Sequence, residues 1–244
     1  RGQRTSLVLV PDLGGEYPDS DAAAIDRDLV REVLAEFRPS TQRIDLGWVD
    51  WVEDFIVYGT MRWRVTDGLL VANPETGTAT LTTDEPVAVA VHDPGAVRAS
   101  MVHALTEVWL SVPETGSVRV LIRSDLTGVP CWAVQLDLDE DAPDEGVVAL
   151  LRDDGVTPTF VATALAELHV GQRLRLQILC AAAGANDDYR VWVNGGLVLS
   201  STQAATPEIV GSMAIMTLGP AVTFGPAFQY QPKSDPFERV GPNP

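Results

Sequence analysis

The chain has 244 residues, of which 45% are hydrophobic and 21% charged, enough apolar surface to close a core and no case for global disorder. Its 17 basic residues against 34 acidic ones leave a formal charge of −17, which repels phosphate backbones and excludes nucleic acid as a partner. No run approaches the roughly 18 apolar residues of a membrane helix, so membrane insertion is not expected, and the cysteines Cys131 and Cys180 are too few for a disulfide framework or a metal-ligand spacing.

Leu7 to Val10 form a short apolar run closed by Pro11-Asp12-Leu13-Gly14-Gly15, an edge strand followed by a turn. Asp19-Ser20-Asp21 then precede Ile25, Leu29, Val33, Leu34 and Phe37 at helical spacing. With an Asp or Ser cap in front and Pro39 just beyond, they predict one amphipathic helix over about 21–37. Ile44 to Phe55 is rich in aromatics and alternates in places, predicting a strand that leads into the next part of the chain. The first residue is Arg1 rather than Met, which suggests a processed chain or part of a longer one.

From Met61 onward short β-like runs follow one another with turn signals between them. They are 61–65, 69–72, 79–83, 87–92, 101–112, 118–124, 131–138, 147–152, 159–166, 173–180, 189–193, 197–200, 208–218 and 222–230. Between them stand turns such as Thr66-Asp67-Gly68, Asp153-Asp154-Gly155, Asn186-Asp187-Asp188 and Asn194-Gly195-Gly196, whose Asp-Gly and Asn-Gly pairs supply the positive φ of tight hairpins. About 12–14 strands without an intervening helix predict an all-β sandwich rather than an α/β fold. The organisation expected is an N-terminal segment over 1–57, a sandwich over 58–231 and an extended proline-rich tail over 232–244.

Two segments carry a resemblance. Met61-Arg62-Trp63-Arg64-Val65-Thr66-Asp67-Gly68-Leu69-Leu70 resembles the opening hairpin of concanavalin A-like domains. Gly171 to Ile178, followed by Tyr189-Arg190-Val191-Trp192-Val193-Asn194-Gly195-Gly196-Leu197-Val198, is similar to the strand and hairpin of laminin G-like domains. The resemblance implies a concanavalin A-like jelly roll; both motifs are structural and say little about activity. The N-terminal stretch Leu34-Ala35-Glu36-Phe37-Arg38-Pro39 with Arg43-Ile44-Asp45-Leu46 looks like a small element of bacteriophage tail and baseplate proteins.

Concanavalin A-like glucanases use a strand that alternates Glu, Asp and Glu so that the acids face one cleft, two carboxylates doing the work of nucleophile and acid/base. The nearest counterpart here is Gln135-Leu136-Asp137-Leu138-Asp139, in which an amide that cannot act as a nucleophile replaces the first acid. No catalytic residue is therefore assigned. The run from Asp137 to Glu145 holds six acids in nine residues, and Asp137, Asp139, Asp141 and Asp144 are the candidate calcium ligands, against the plainer reading of a solvated acidic loop. Calcium is the one cofactor considered. Asn186-Asp187-Asp188 is a second candidate loop for calcium or sugar, or an Asx-rich turn. Trp48, Trp51 and Trp63 are the candidate sugar platform, since an exposed indole stacks on a sugar ring and a buried one fills a core; Trp109, Trp132 and Trp192 read as sheet packing. His92, His103 and His169 read as isolated strand-end residues. Cys131 and Cys180 read as buried thiols, with a bridge between neighbouring strands as the alternative.

The first functional reading is a non-enzymatic structural or adhesion module of a virion, with neighbouring subunits of an assembly as partners. The alternative is a secreted or surface carbohydrate-binding domain or glycoside hydrolase, with a cell-surface glycan as partner. Both place the chain in a virion or outside the cell.

Overall fold

The computed structural model describes residues 4–11, 33, 42–49, 51–53, 55–56, 59–93, 103–124, 131–139, 142–183, 185–205, 212–230 and 237–240. In chain order the strands are β1 (Arg4–Pro11), β2 (Gln42–Val49), β3 (Trp51–Glu53), β4 (Trp63–Thr66), β5 (Leu69–Asn73) and β6 (Thr78–Thr82). Next come β7 (Ala88–His92), β8 (His103–Ser111), β9 (Ser117–Ser124), β10 (Cys131–Asp139), β11 (Ala142–Asp153) and β12 (Thr159–Glu167). The last are β13 (Arg173–Ala183), β14 (Asn186–Val193), β15 (Gly196–Ala204), β16 (Ser212–Thr217), β17 (Ala221–Tyr230) and β18 (Phe237–Val240).

The chain divides into two compact units. The smaller comprises Arg1–Val52 and Gln229–Pro244 and contains a sheet in the order β1-β2-β18, with β1 parallel to β2 and β18 antiparallel to it. A parallel pair requires a crossover connection, and the helix predicted over 21–37 falls in the stretch between these strands; apart from Val33 it lies outside the described residues. Within the stretch expected as a tail, Phe237–Val240 form β18 on β2.

The larger unit, Glu53–Phe228, is a sandwich of two antiparallel sheets. One runs β12-β11-β10-β9-β16-β7-β4, the other β15-β14-β13-β8-β17-β6-β5. Period-2 alternation decides what each strand buries. Val118, Val120 and Ile122 of β9, Val134 and Leu136 of β10, and Val148 and Leu150 of β11 are buried and sit opposite one another in register. The stacking of Trp132 on Tyr189 of the second sheet shows that this face looks into the sandwich. Val108, Leu110, Leu174, Leu176, Ile178 and Val191 bury the facing side. On the opposite face of the first sheet, Leu121, Cys131, Ala133, Leu151, Ala214 and Met216 form a second apolar cluster with Val89 and Val91.

Trp63 is 8% exposed, stacked on Phe55 at 5.7 Å and edge-on to Phe224 and His92 at 5.2 and 5.1 Å. It is a core residue with no free ring face, which corrects its place in the sugar platform. The side chains of Trp48 and Trp51 lie outside the described residues. Cys131 and Cys180 are both buried and not joined in a disulfide; they belong to opposite sheets, on β10 and β13, and so are not on neighbouring strands. No helix among the described residues is long and apolar enough to cross a membrane.

Candidate site at the sandwich edge

The site begins with a backbone irregularity in β9. Strict alternation would send Arg123 to the face opposite Ile122, away from the second sheet. Instead Arg123 has φ of 55°, a left-handed conformation uncommon for a non-glycine residue, and the β9–β16 register shifts beside it. The side chain turns inward, where Nη1 donates to Asp187 Oδ2 at 2.7 Å, Tyr189 Oη at 3.2 Å and Cys180 Sγ at 3.7 Å. Both ends of the Arg123–Asp187 pair are almost wholly buried.

Charges this deep persist only when paired. Burial works against the Arg123 charge, but the hydrogen bond to Asp187 and the neighbouring Cys180 and Tyr189 outweigh it and raise the pKa. Burial likewise pushes the Tyr189 phenol and the Cys180 thiol up, so both stay protonated and the thiol is unreactive. Asn186-Asp187-Asp188 is accordingly neither the candidate loop nor the Asx-rich turn of the sequence reading. It is the first part of β14, pulled into the fold because the inward Arg123 needs a carboxylate.

This cluster fixes Trp132, whose indole stacks on Tyr189 at 4.5 Å and 29°. Opposite Trp132 across the ladder lies Arg152 of β11, and opposite Arg152 lies Thr159 of β12, so three strands present Trp132, Arg152 and Thr159 in one row. Gln203 and Ala204 of β15 close the space from the other sheet. The result is a cavity of about 380 Å³ lined by Trp132, Arg152, Asp154, Thr159, Val161, Gln203 and Ala204, within the usual range for small-molecule sites.

Its rim is a braced turn. Asp153 Oδ1 accepts from the Gly155 N–H at 2.9 Å, and Asp154 Oδ1 from those of Val156 at 3.0 Å and Thr157 at 3.4 Å. Gly155 supplies φ of 87° where the turn needs it. The bonds from Val156 and Thr157 hold the Asp154 carboxyl below the usual carboxylate range. The cavity's other polar groups are uncommitted. Among the described residues the Arg152 guanidinium and the Thr159 hydroxyl make no hydrogen bond, and Gln203 uses only its Nε2, donating to Ser201 Oγ at 2.7 Å.

The strand expected to resemble a glucanase site lies on the other face of the same sheet. There Arg119 Nε donates to Gln135 Oε1 at 2.6 Å, and Gln135 Nε2 to Asp137 Oδ2 at 2.6 Å. Arg119 Nη1 lies 3.7 Å from Asp153 Oδ2 and 3.9 Å from Met216 Sδ. Gln135 serves as the neutral link between a cation and a carboxylate. Of the candidate calcium ligands, Asp137 is committed in this way and Asp139 and Asp144 lie on the paired strands β10 and β11. The side chains of Asp139 and Asp144, and Asp141 entirely, lie outside the described residues. Among the described residues no group of three His, Cys, Asp or Glu side chains is placed to hold a metal.

No family model and no curated protein matches the chain. Solved structures do. The carbohydrate-binding module CBM66 from Bacillus subtilis aligns with a TM-score of 0.54 at 13% identity, over 70% of this chain and 96% of that one. A Bacillus subtilis protein of unknown function with a galectin-like fold gives 0.54 at 11%, over 74% and 94%. The sandwich is a concanavalin A-like jelly roll. The Bacillus licheniformis β-glucanase gives 0.50 at 13% identity, over 75% and 98%, and at such identities the jelly roll alone is what is shared. The concanavalin A-like expectation holds; the comparisons lend nothing to the laminin G-like or the phage-tail likeness.

Sequence reading finds the jelly roll but misses this site. Arg152, Thr159 and Gln203 sit on separate strands and match no motif; only the ladder and the packing of β15 bring them together. The one local signal is Asp153-Asp154-Gly155, which is read as a turn without a hint of what the turn supports.

Proposed function

We propose that this protein is a carbohydrate-binding domain whose ligand enters the cavity between β11, β12 and β15, and that it does not hydrolyse what it binds. The carrying observation is the set of uncommitted planar and hydroxyl groups, Arg152, Gln203 and Thr159, around the edge of a fixed indole. Sugars offer vicinal hydroxyls to such planar groups. The jelly-roll neighbours described as a carbohydrate-binding module and a β-glucanase support a carbohydrate ligand and leave hydrolysis open, and none of them supports a virion component. Against hydrolysis stands Gln135, an amide where a nucleophile would be required, tied to Arg119 and Asp137. A glycan partner fits an extracellular or surface setting.

The test is a glycan array on the full chain, repeated with Arg152→Ala and Gln203→Ala. Retention of a defined set of glycans, lost in both variants and accompanied by no release of reducing ends, is expected. Absence of any retained glycan, or retention unchanged in both variants, would overturn the assignment. A parallel array in chelator reports on Asp137, Asp139, Asp141 and Asp144, because binding lost there would return an ion to that acidic run.

A further inference from the structure

The cavity also indicates which class of saccharide it takes. We infer that it selects sugars bearing a carboxylate, with Arg152 as the residue that reads the acid. This rests on the carbohydrate reading above and narrows it.

Three observations carry the inference. Arg152 is the cation in the cavity lining, and among the described residues its guanidinium makes neither a hydrogen bond nor an ion pair. The acid in the same lining, Asp154, has an oxygen occupied by the N–H groups of Val156 and Thr157, and the two interact through space without a salt bridge. Finally, the base of the Arg152 side chain is fixed in the row between Trp132 and Thr159, so the guanidinium is offered to the space they share with Gln203.

A planar fork of N–H donors matches a carboxylate in a bidentate way that a hydroxyl cannot reproduce. Around it, the Thr159 hydroxyl and the Gln203 amide carbonyl suit the ring hydroxyls of the same residue. The neighbouring arginines of the interior are committed elsewhere: Arg123 to Asp187, and Arg119 to Gln135. The chain's net charge of −17 opposes an anionic ligand at long range. Beyond about 8 Å that opposition is screened at physiological salt, whereas the contact at Arg152 is not.

The experiment is calorimetric titration of the full chain, at physiological ionic strength, with matched pairs of oligosaccharides: galacturonate, glucuronate and mannuronate oligomers, each against its carboxyl-reduced neutral counterpart. The inference predicts that the acidic member of at least one pair binds about tenfold to a hundredfold tighter. It also predicts that Arg152→Gln erases the difference between the two members, and that Arg152→Lys, which keeps the charge but loses the fork, recovers it only in part. Equal binding of acidic and neutral members would overturn the inference and leave the carbohydrate reading standing. If neutral glycans from the array bind but no uronate does, the outcome is the same. If no saccharide binds, both fall.

Discussion

The first sheet carries a polar assembly on each of its faces, and the two differ in one respect. Around Gln135 each strong group has a partner: Arg119 on Gln135, Gln135 on Asp137, and Asp153 shared between Arg119 and the Gly155 N–H. Around Arg152 the guanidinium, the Thr159 hydroxyl and half of the Gln203 amide are spent on nothing within the described residues. A closed set of hydrogen bonds specifies a fold; an open one in a cavity is what a ligand completes. Strand position and residue type alone would have pointed to the first assembly.

The largest effect is expected where the cavity meets the interior. Asp187→Ala leaves Arg123 buried without its carboxylate, a loss of about 3–5 kcal/mol readable by denaturant unfolding. Because Tyr189 and Trp132 rest on that pair, glycan binding should weaken at the same time. Retained stability with retained binding would break the link between the buried cluster and the cavity.

Gln135→Glu sharpens the contrast from the other face. It removes the amide donor to Asp137 and sets two carboxylates side by side, so a loss of about 1–3 kcal/mol is expected, with glycan affinity unchanged and no hydrolysis gained. Release of reducing ends by this variant would show that the strand is a disabled glucanase site after all.

Acid separates the fold from the cavity rim. Burial, with Arg62 adding to it, lowers the His92 pKa to about 3, against about 6.5 in an unfolded chain. The unfolded chain therefore takes up a proton that the folded one refuses. This contribution to stability is complete above pH 6.5 and declines as the pH falls toward 3, by about 1.4 kcal/mol per pH unit. His92→Phe should flatten that part of the stability profile. The turn at Asp154 keeps its carboxylate through most of the same window because its pKa is depressed, so binding should persist until the whole domain unfolds. Binding lost well before unfolding would contradict the role given to that turn.

The smallest effect on stability is expected at Arg152. Arg152→Ala removes an exposed side chain without hydrogen-bonding partners, so unfolding free energy should move by no more than about 0.5 kcal/mol while glycan affinity is lost. A large destabilisation would mean that Arg152 belongs with the closed assembly.

Much of the jelly roll is legible in the sequence because each of its strands carries its own alternation and its own turn. Thr66-Asp67-Gly68 and Asn194-Gly195-Gly196 fall where β4 meets β5 and β14 meets β15, the latter with Asn194 and Gly195 at positive φ. Asn186-Asp187-Asp188 misleads because its local chemistry favours a turn, while its place in β14 is set by Arg123, 64 positions away in the chain. Trp63 misleads in a similar way, since nothing in the hairpin that contains it announces Phe55 and Phe224. The cavity is the least legible feature. It depends on which side chains share a row across β10, β11 and β12 and on what the other sheet lays over them, and a single strand encodes neither.

The contrast between the two faces is tested most directly by mapping backbone amide chemical shifts of the full chain during titration with a glycan that the array retains. The account predicts saturable shifts at Arg152, Asp154, Thr159 and Gln203 with Arg119, Gln135 and Asp137 unmoved. Shifts concentrated on Arg119, Gln135 and Asp137, with the cavity lining silent, would contradict it.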